Sequence, residues 1–311
     1  MNGLKVDICF LVIGSMSDLP KLAVSSALQA SCGDIFIGYV NADDIRNLPH
    51  SSRISFVDLA SEYRNLEIGH LSKTYVKFDN YNFNSLVQLK WVLIRKMFEL
   101  TKNNFIFSDV DIIWLIDPSN SIHNTFQKLS GSKILIQNFS DSLDDPKLCM
   151  GFVALRNSIE TSTIILSCQR LHRNLLANGE SINDDYVITK YFVDSGFPKT
   201  ILQLPQKTFP VGNMLNLYGE RNAFLRMTQP KPFIFHANFA IGLKNKELLL
   251  HVFMRNNRLD NVNLAKITRV KLSFYMTSQL VSFWISYLIR FCFRFLPPEL
   301  KKKIKSLWGS F

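Results

Sequence analysis

The sequence predicts an α/β fold, a doubly wound and mostly parallel sheet with helices on both faces. Short apolar runs alternate along the chain with longer amphipathic segments, which is typical of strands joined by crossover helices. The chain has 311 residues, 47% of them hydrophobic, which is enough for one large core. Gly and Pro together number only 24, which excludes collagen-like and broadly disordered chains.

The first third of the chain contains three predicted strands and two predicted helices. Residues 6–13 form an apolar run without the basic start or cleavage site of a secretory signal, so we interpret them as the first strand. A helix is predicted to follow as far as about Ser31, with Ser17 or Asp18 as its cap and Pro20 in its first turn. Two further strands and a long helix are predicted at 34–40, 54–57 and 84–100.

The rest of the chain continues the alternation. Residues 105–115 (FIFSDVDIIWL) predict a strand that runs into a loop. Two more strands are predicted at 133–137 and 151–156, and two helices at 159–177 and 184–195. Because ligands of doubly wound sheets bind beyond the carboxyl ends of the strands, we expect the functional residues there.

The charge of the chain is unevenly distributed. The formal net charge is +11, and residues 269–311 alone contribute +7, with eight Lys/Arg and one Glu. A nucleic-acid-binding protein usually spreads its basic residues over a groove or a face. Here the excess is terminal and mixed with Phe, Trp and Leu, which favours an anionic lipid surface and argues against nucleic acid.

The five cysteines argue against a disulfide framework and against a zinc site. They are odd in number and widely scattered, and no CxxC pair occurs among Cys9, Cys32, Cys149, Cys168 and Cys292. A reducing compartment is the default expectation for such a pattern.

The strongest local signal for chemistry is the pair Asp109 and Asp111, which follows an apolar strand. Alternation along a strand places residues i and i+2 on one face, so both carboxylates can point into one site. Two buried carboxylates repel each other unless a cation lies between them. Oxygen ligands favour Mg²⁺ or Mn²⁺, ions that also bind substrate diphosphates. The alternative is a capped turn at the end of a strand.

The segment FSDVDIIWLIDP resembles the DxD segment of the nucleotide-diphospho-sugar transferases, GT-A glycosyltransferases that include plant cell-wall xylosyl- and arabinosyltransferases. Three further segments resemble that family in the same order along the chain. They are FNSLVQLKWVLIRKMFEL at 83–100, CMGFVALRNS at 149–158 and HANFAIGLKNK at 236–246. The resemblance extends from about residue 6 to residue 251, and it implies a GT-A-like, Rossmann-like sheet.

The resemblance also implies a metal and donor site. Asp109 would face the donor ribose or the metal, Asp111 would bind the metal directly, and His236 would complete the coordination. The metal would be Mn²⁺ or Mg²⁺, and imidazole suits Mn²⁺ better. Alternatively, His236 could be a satisfied histidine of the core.

The remaining candidate residues would bind the donor or assist catalysis. The resemblance assigns Lys90, Gly151, Gly242 and either Lys244 or Lys246 to the donor, with Lys246 better placed for the diphosphate. Asp184 matches the aspartate of the family's Asp-Gln pair and is a candidate catalytic residue. Asp185 departs from that pair, because it replaces the amide by a carboxylate. Ordinary structural roles remain open: solvated lysines, a helix cap at Asp184, and relief of crowding at Gly151.

The predicted function is metal-dependent transfer of a sugar from a nucleotide-diphosphate donor, first of all a UDP-sugar, to a glycan or lipid-linked acceptor. The resemblance implies retention of the anomeric configuration. Two alternatives remain. One is a DxD phosphatase, although that class prefers Thr or Val where this chain has Ile113. The other is a membrane-surface scaffold on a decayed transferase fold.

The composition changes near Arg269, so we predict a catalytic domain at 1–268 and an amphipathic helical tail at 269–311. Residues 272–289 are uncharged, but six of them are Ser, Thr or Gln, which weakens a spanning interpretation. A helix that lies in the membrane interface fits better. We therefore expect a cytoplasmic, peripherally membrane-associated protein, with a spanning helix or a protein contact as alternatives.

Overall fold

A computed structural model of the chain defines the fold. It describes residues 5–14, 17–66, 81–138, 140, 146–196, 198–206, 208–211, 232–238, 243–244, 246–247 and 250–251. Gly242 and the predicted tail at 269–311 lie outside the described residues. Within the described ranges, no helix has the length and hydropathy needed to cross a bilayer.

Nine strands form two sheets among the described residues. In chain order they are β1 (Asp7–Val12), β2 (Ile35–Tyr39), β3 (Ile54–Asp58), β4 (Phe105–Ser108), β5 (Ile112–Trp114), β6 (Ile134–Asn138), β7 (Leu148–Leu155), β8 (Ile201–Gln203) and β9 (Ile234–His236). The large sheet has the order β3-β2-β1-β4-β7-β6-β8, and β5 pairs with β9 in a small second sheet. Only β7 runs antiparallel to its neighbours in the large sheet, which confirms the mostly parallel prediction.

Helices cover both faces of the large sheet. They are α1 (Leu19–Ala30), α2 (Ala42–Ile45), α3 (Ala60–Arg64), α4 (Tyr81–Leu100), α5 (Ser119–Lys128), α6 (Ile159–Ala177) and α7 (Asp184–Asp194). Alternate residues of β1 point to opposite faces, so Phe10 packs with α1 and α5 while Cys9 packs with α4, α6 and α7. Two hydrophobic cores therefore enclose the sheet, and the predicted α/β, GT-A-like fold is confirmed.

Most predicted elements lie where the apolar runs placed them, but the 105–115 segment differs. It forms two strands in different sheets, β4 and β5, separated by a turn in which Ile112 N–H donates to the carbonyl of Asp109 at 3.3 Å. Polar Ser108, Asp109 and Asp111 interrupt the apolar run and end the first strand. The prediction of one strand that runs into a loop was therefore wrong, because β5 pairs with β9, more than 100 residues later.

Candidate active site

The two carboxylates of the DxD motif lie in the turn that follows β4, at the carboxyl edge of the large sheet. The backbone of this turn is held on both sides. Asp109 N–H donates to the carbonyl of Gly151 at 2.7 Å, and Ala237 N–H donates to the carbonyl of Asp111 at 2.9 Å. Both carboxylates thus reach one site from a tight turn and not from alternating positions of a strand.

The small sheet brings His236 to the same turn. Ile112 of β5 lies opposite His236 of β9, so the imidazole is carried next to Asp111 although 124 residues separate it from Ile112 in the chain. Ligand atoms of Asp109, Asp111 and His236 all lie within 4.8 Å of one another. This spacing fits three ligands around one cation.

Two atoms of this group have unmet bonding capacity. His236 Nε2 and Asp111 Oδ1 lie 3.2 Å apart, both are buried, and neither has a hydrogen-bond partner among the described residues. An orphaned buried polar atom costs about 1–3 kcal/mol. A divalent cation bound between them would satisfy both atoms, so the residues present fit a metal ion.

Two lysines neutralise part of the acidic charge. Lys90 Nζ on α4 lies 2.9 Å from Asp109 Oδ1 and 2.8 Å from Asp184 Oδ2. Lys246 Nζ lies 2.5 Å from Asp111 Oδ2. Burial lowers the pKa of Lys90, but the carboxylates of Asp109, Asp184 and Asp185 outweigh burial and raise that pKa well above its usual value. Lys90 is therefore a charged residue of the site.

The carboxyl groups of the site differ in pKa because their surroundings differ. Burial raises the pKa of Asp111, but Lys246 and His236 outweigh it and hold that pKa below its usual range. Burial also raises the pKa of Asp109, and Lys90 offsets only part of this. The pKa of Asp185 rises to about 8 through burial and the neighbouring charge of Asp184. With Asp184 included, four carboxyl groups meet two lysines, and a bound divalent cation would favour the ionised form of the carboxyl groups whose pKa is raised.

Gly151 of β7 provides the space in which these side chains meet. A Cβ atom at this position would lie 2.3 Å from His236 Cε1 and 3.1 Å from Asp109 Oδ2. Real Cβ atoms do not approach other atoms so closely, so only glycine fits here without movement of the imidazole. The crowding lies between Gly151 and the candidate metal ligands.

Asp184 does not act as the cap of α7. The N-cap is Asn183, whose side-chain oxygen accepts from Tyr186 N–H at 3.0 Å, and Asp184 instead pairs with Lys90. Of the two lysines left open by the sequence, Lys246 contacts Asp111, whereas Lys244 is exposed. His236 is buried, but it faces the carboxylates of the site.

Two residues in contact with this group were missing from the candidate sites. Asp185 Oδ1 accepts from Met150 N–H at 2.6 Å, which connects α7 to β7 beside Gly151. Gln137 in β6 lies 3.1 Å from His236 through its Oε1 atom. The sequence does contain a signal for Gln137, because this polar residue directly follows three apolar residues of a predicted strand, and the whole strand is buried.

Two solved structures with similar folds are those of glycosyltransferases. The apo form of mouse xyloside xylosyltransferase 1 is 12% identical, with a TM-score of 0.48 over 75% of this chain and 98% of its own. The glycosyltransferase GlyE of Streptococcus pneumoniae TIGR4 is 15% identical, with a TM-score of 0.50 over 89% of this chain and 64% of GlyE. At this identity, the likeness to GlyE shows the fold alone. Among curated protein sequences, none matches significantly.

A family model decides the assignment. The model described as nucleotide-diphospho-sugar transferase matches residues 55–250, a range that contains the DxD turn, Gly151, α7 and His236. Because this match covers more than half of the chain, the protein belongs to the nucleotide-diphospho-sugar transferase family.

Proposed function

We propose that this protein is a metal-dependent glycosyltransferase that moves a sugar from a nucleotide-diphosphate donor, in the first place a UDP-sugar, to a hydroxyl of a glycan or lipid-linked acceptor. One observation carries the proposal. Asp109, Asp111 and His236 converge within 4.8 Å beside two lysines, in a chain of the nucleotide-diphospho-sugar transferase family.

Asp109, Asp111 and His236 would hold the divalent cation. When bound, Mn²⁺ or Mg²⁺ supplies Lewis-acid stabilisation of the diphosphate leaving group. The hard carboxylate oxygens suit either ion, and the imidazole nitrogen favours Mn²⁺.

The lysines would stabilise the charge that develops as the glycosidic bond breaks. The bond from the anomeric carbon to the diphosphate oxygen is replaced by one to the acceptor oxygen, and the proton of the acceptor hydroxyl passes to the leaving diphosphate or to solvent. Negative charge then grows on the diphosphate, where pre-positioned ammonium groups act most strongly. Lys246 and Lys90 are the donor-binding candidates, and Asp184 positions Lys90 through their 2.8 Å ion pair.

Gly151, Lys244 and Gly242 complete the proposed donor-binding set. Gly151 lies against His236 and Asp109 and would serve the donor by leaving room for these two side chains. Lys244 is exposed and would act on the donor only from the solvent side. Retention of configuration, which the resemblance implies, is part of the proposal.

A screen of nucleotide sugars tests the function. Each donor is incubated with the full chain and Mn²⁺, and both the release of the nucleoside diphosphate and the melting temperature are measured. We expect one donor class, UDP-sugars first, to be hydrolysed slowly and to raise the melting temperature, because a ligand that binds only the folded state stabilises it.

Three outcomes would contradict the proposal. Hydrolysis that is indifferent to EDTA would contradict metal dependence. Phosphate release from a phosphomonoester without nucleotide-sugar turnover would favour the phosphatase. The absence of turnover and of donor binding would favour the scaffold. Once an acceptor is known, the anomeric proton coupling of the product in NMR tests retention.

A further inference from the structure

Gln137 is a buried amide whose contacts fix its orientation. Its side chain is fully buried at the carboxyl end of β6. Gln137 Nε2 donates to the carbonyl of Phe209 at 3.3 Å and to that of Pro210 at 3.0 Å. Only the amide nitrogen can serve two carbonyl acceptors, so Oε1 is the atom that faces His236 Nδ1 at 3.1 Å.

This orientation determines the position of the imidazole proton. A carbonyl oxygen accepts hydrogen bonds and cannot donate one, so His236 Nδ1 must carry the proton and donate to Gln137 Oε1. In the neutral ring, the Nε2 atom then holds a lone pair. That lone pair points towards Asp111 Oδ1, 3.2 Å away, which is also an acceptor and likewise lacks a hydrogen-bond partner among the described residues.

We propose that Gln137 is a positioning residue that holds His236 as its Nδ1–H tautomer and thereby keeps Nε2 available as a ligand for the divalent cation. The proposal rests on the metal site of the proposed function. Replacement of a residue that hydrogen-bonds a metal-binding histidine typically lowers metal affinity about 10–100-fold.

Without Gln137, the other tautomer would be preferred. An imidazole with its proton on Nε2 can donate to Asp111 Oδ1 and satisfy both orphaned atoms within the protein. The lone pair would then lie on Nδ1, away from the carboxylates, and the metal site would lose its nitrogen ligand. Gln137 thus disfavours a direct hydrogen bond between His236 and Asp111 that would leave no nitrogen ligand for the metal.

The strand geometry explains how Gln137 reaches His236. The pairing of β6 with β7 shifts register at this point, because Ile136 lies opposite Val153 whereas Gln137 lies opposite Cys149. The unmatched residues of β7 include Gly151, which lies against the His236 ring. Irregularities of this kind commonly redirect side chains next to active sites.

The tautomer of His236 can be measured directly in the metal-free protein. Two-bond ¹H–¹⁵N correlation NMR of the full chain labelled with ¹⁵N-histidine, in EDTA, distinguishes protonated from unprotonated ring nitrogens. The chain has six histidines, and the His236→Asn variant identifies the signals of His236. We expect Nδ1 to be protonated at every pH of a pH titration, and Nε2 to be the nitrogen that loses its proton as the pH rises. An unprotonated Nδ1 beside a protonated Nε2 in the unmodified chain would overturn the proposal without any variant.

Variants separate positioning from simple packing. Gln137→Met keeps the length of the side chain but removes the acceptor, so we expect the Nε2–H tautomer and a 10–100-fold weaker affinity for Mn²⁺ by calorimetry. Gln137→Glu keeps an acceptor towards Nδ1 but loses the amide N–H groups that bond Phe209 and Pro210. It should retain Mn²⁺ affinity at pH 8 better than the Met variant.

Gln203→Met is the matched control, because Gln203 lies in the neighbouring strand β8, opposite Ile136, and its side chain accepts a hydrogen bond from Asn138 of β6. It should leave both readouts unchanged. Equal losses in the Glu and Met variants would reduce Gln137 to a structural role. If Nδ1 is protonated as expected but Mn²⁺ does not bind the unmodified chain, the proposed function fails and the tautomer assignment stands.

Discussion

At the scale of single residues, Lys246 and a metal ion would compete for the carboxylate of Asp111. Its ammonium lies 2.5 Å from Asp111 Oδ2, so a cation that binds Asp111 competes with it. Lys246→Met should therefore raise the affinity for Mn²⁺ in the absence of donor by roughly tenfold, on the order of 1–2 kcal/mol. The same variant should lower the turnover of a bound donor, because a charge that would stabilise the diphosphate is lost.

Calorimetric titration with Mn²⁺ measures the first effect, and steady-state kinetics measures the second. Lys244→Met is the matched control for the Mn²⁺ titration, because Lys244 is exposed and lies two residues away. An unchanged or weaker Mn²⁺ affinity in Lys246→Met would show that Lys246 does not compete for Asp111.

The raised pKa of Asp185 predicts that the free energy of unfolding of the metal-free protein depends on pH. Its pKa rises from an ordinary 3.8 to about 8 in the folded state, through burial and the charge of Asp184. The folded state therefore binds the proton between about pH 4 and 8, where the unfolded chain has released it. The contribution of this group to the free energy of unfolding is complete below pH 4. It falls as the pH rises from about 4 and is lost once the pH has passed 8.

The Asp185→Asn variant should remove this contribution, since its amide is neutral at every pH and its oxygen can still accept from Met150 N–H. Urea unfolding in EDTA at pH 5 and pH 8 gives the free energy of unfolding for both proteins. We expect the free energy of the parent to fall more than that of the variant. Parallel changes in the two proteins would rule out the raised pKa.

The irregular strand β7 determines the site at the scale of secondary structure elements. Gly151→Ala would bring a Cβ atom to 2.3 Å from His236 Cε1, and the ring has little room because it is held between Gln137 and Asp111. We expect a destabilisation of about 1–3 kcal/mol, as for other overpacked sites, and a clear loss of Mn²⁺ affinity.

Gly131→Ala is the control for this change, because a Cβ atom there would meet nothing within 4 Å. Thermal unfolding and Mn²⁺ titration of both variants provide the comparison. If Gly151→Ala behaved like Gly131→Ala in both measurements, the close contact between β7 and His236 would be wrong.

The sequence predicted the long elements well and the short ones poorly. Apolar runs such as that of β1 and the periodicity of α6 carry local information, so their bounds are recovered within one or two residues. β5 and β9 have three residues each and exist because they pair with each other across the chain. No local pattern determines such a pair.

The site follows the same division. Asp109 and Asp111 lie two positions apart in sequence, and the resemblance added His236. The contacts of Gln137, however, depend on the carbonyls of Phe209 and Pro210. The role of a buried glutamine depends on which atoms the fold places around it. A sequence can mark such a residue as unusual, but it cannot show what the residue faces.

The basic tail belongs to the scale of the whole molecule and stays a prediction, because 269–311 lies outside the described residues. We propose that it anchors the protein peripherally to a membrane on the cytoplasmic side, with a domain boundary near residue 268. Its four lysines after Pro298 should contribute roughly 1 kcal/mol each on an anionic surface.

Liposome flotation tests the anchor. The full chain should float with vesicles that contain phosphatidylserine, and salt should release part of it. A chain without residues 270–311 should stay in solution and keep its nucleotide-sugar activity. Replacement of Lys301, Lys302, Lys303 and Lys305 by Gln should weaken flotation without affecting catalysis. A full chain that ignores anionic vesicles would assign the tail to a protein interface instead.

We propose above all that Asp109, Asp111 and His236 together hold one divalent cation for the donor diphosphate. Calorimetric titration of the full chain with Mn²⁺, alone and with UDP, tests it most directly when repeated on Asp111→Asn. We predict one Mn²⁺ per chain, tighter binding with UDP present, and a loss of binding in a variant that still unfolds cooperatively. Equal Mn²⁺ binding by the parent and by Asp111→Asn would contradict the claim.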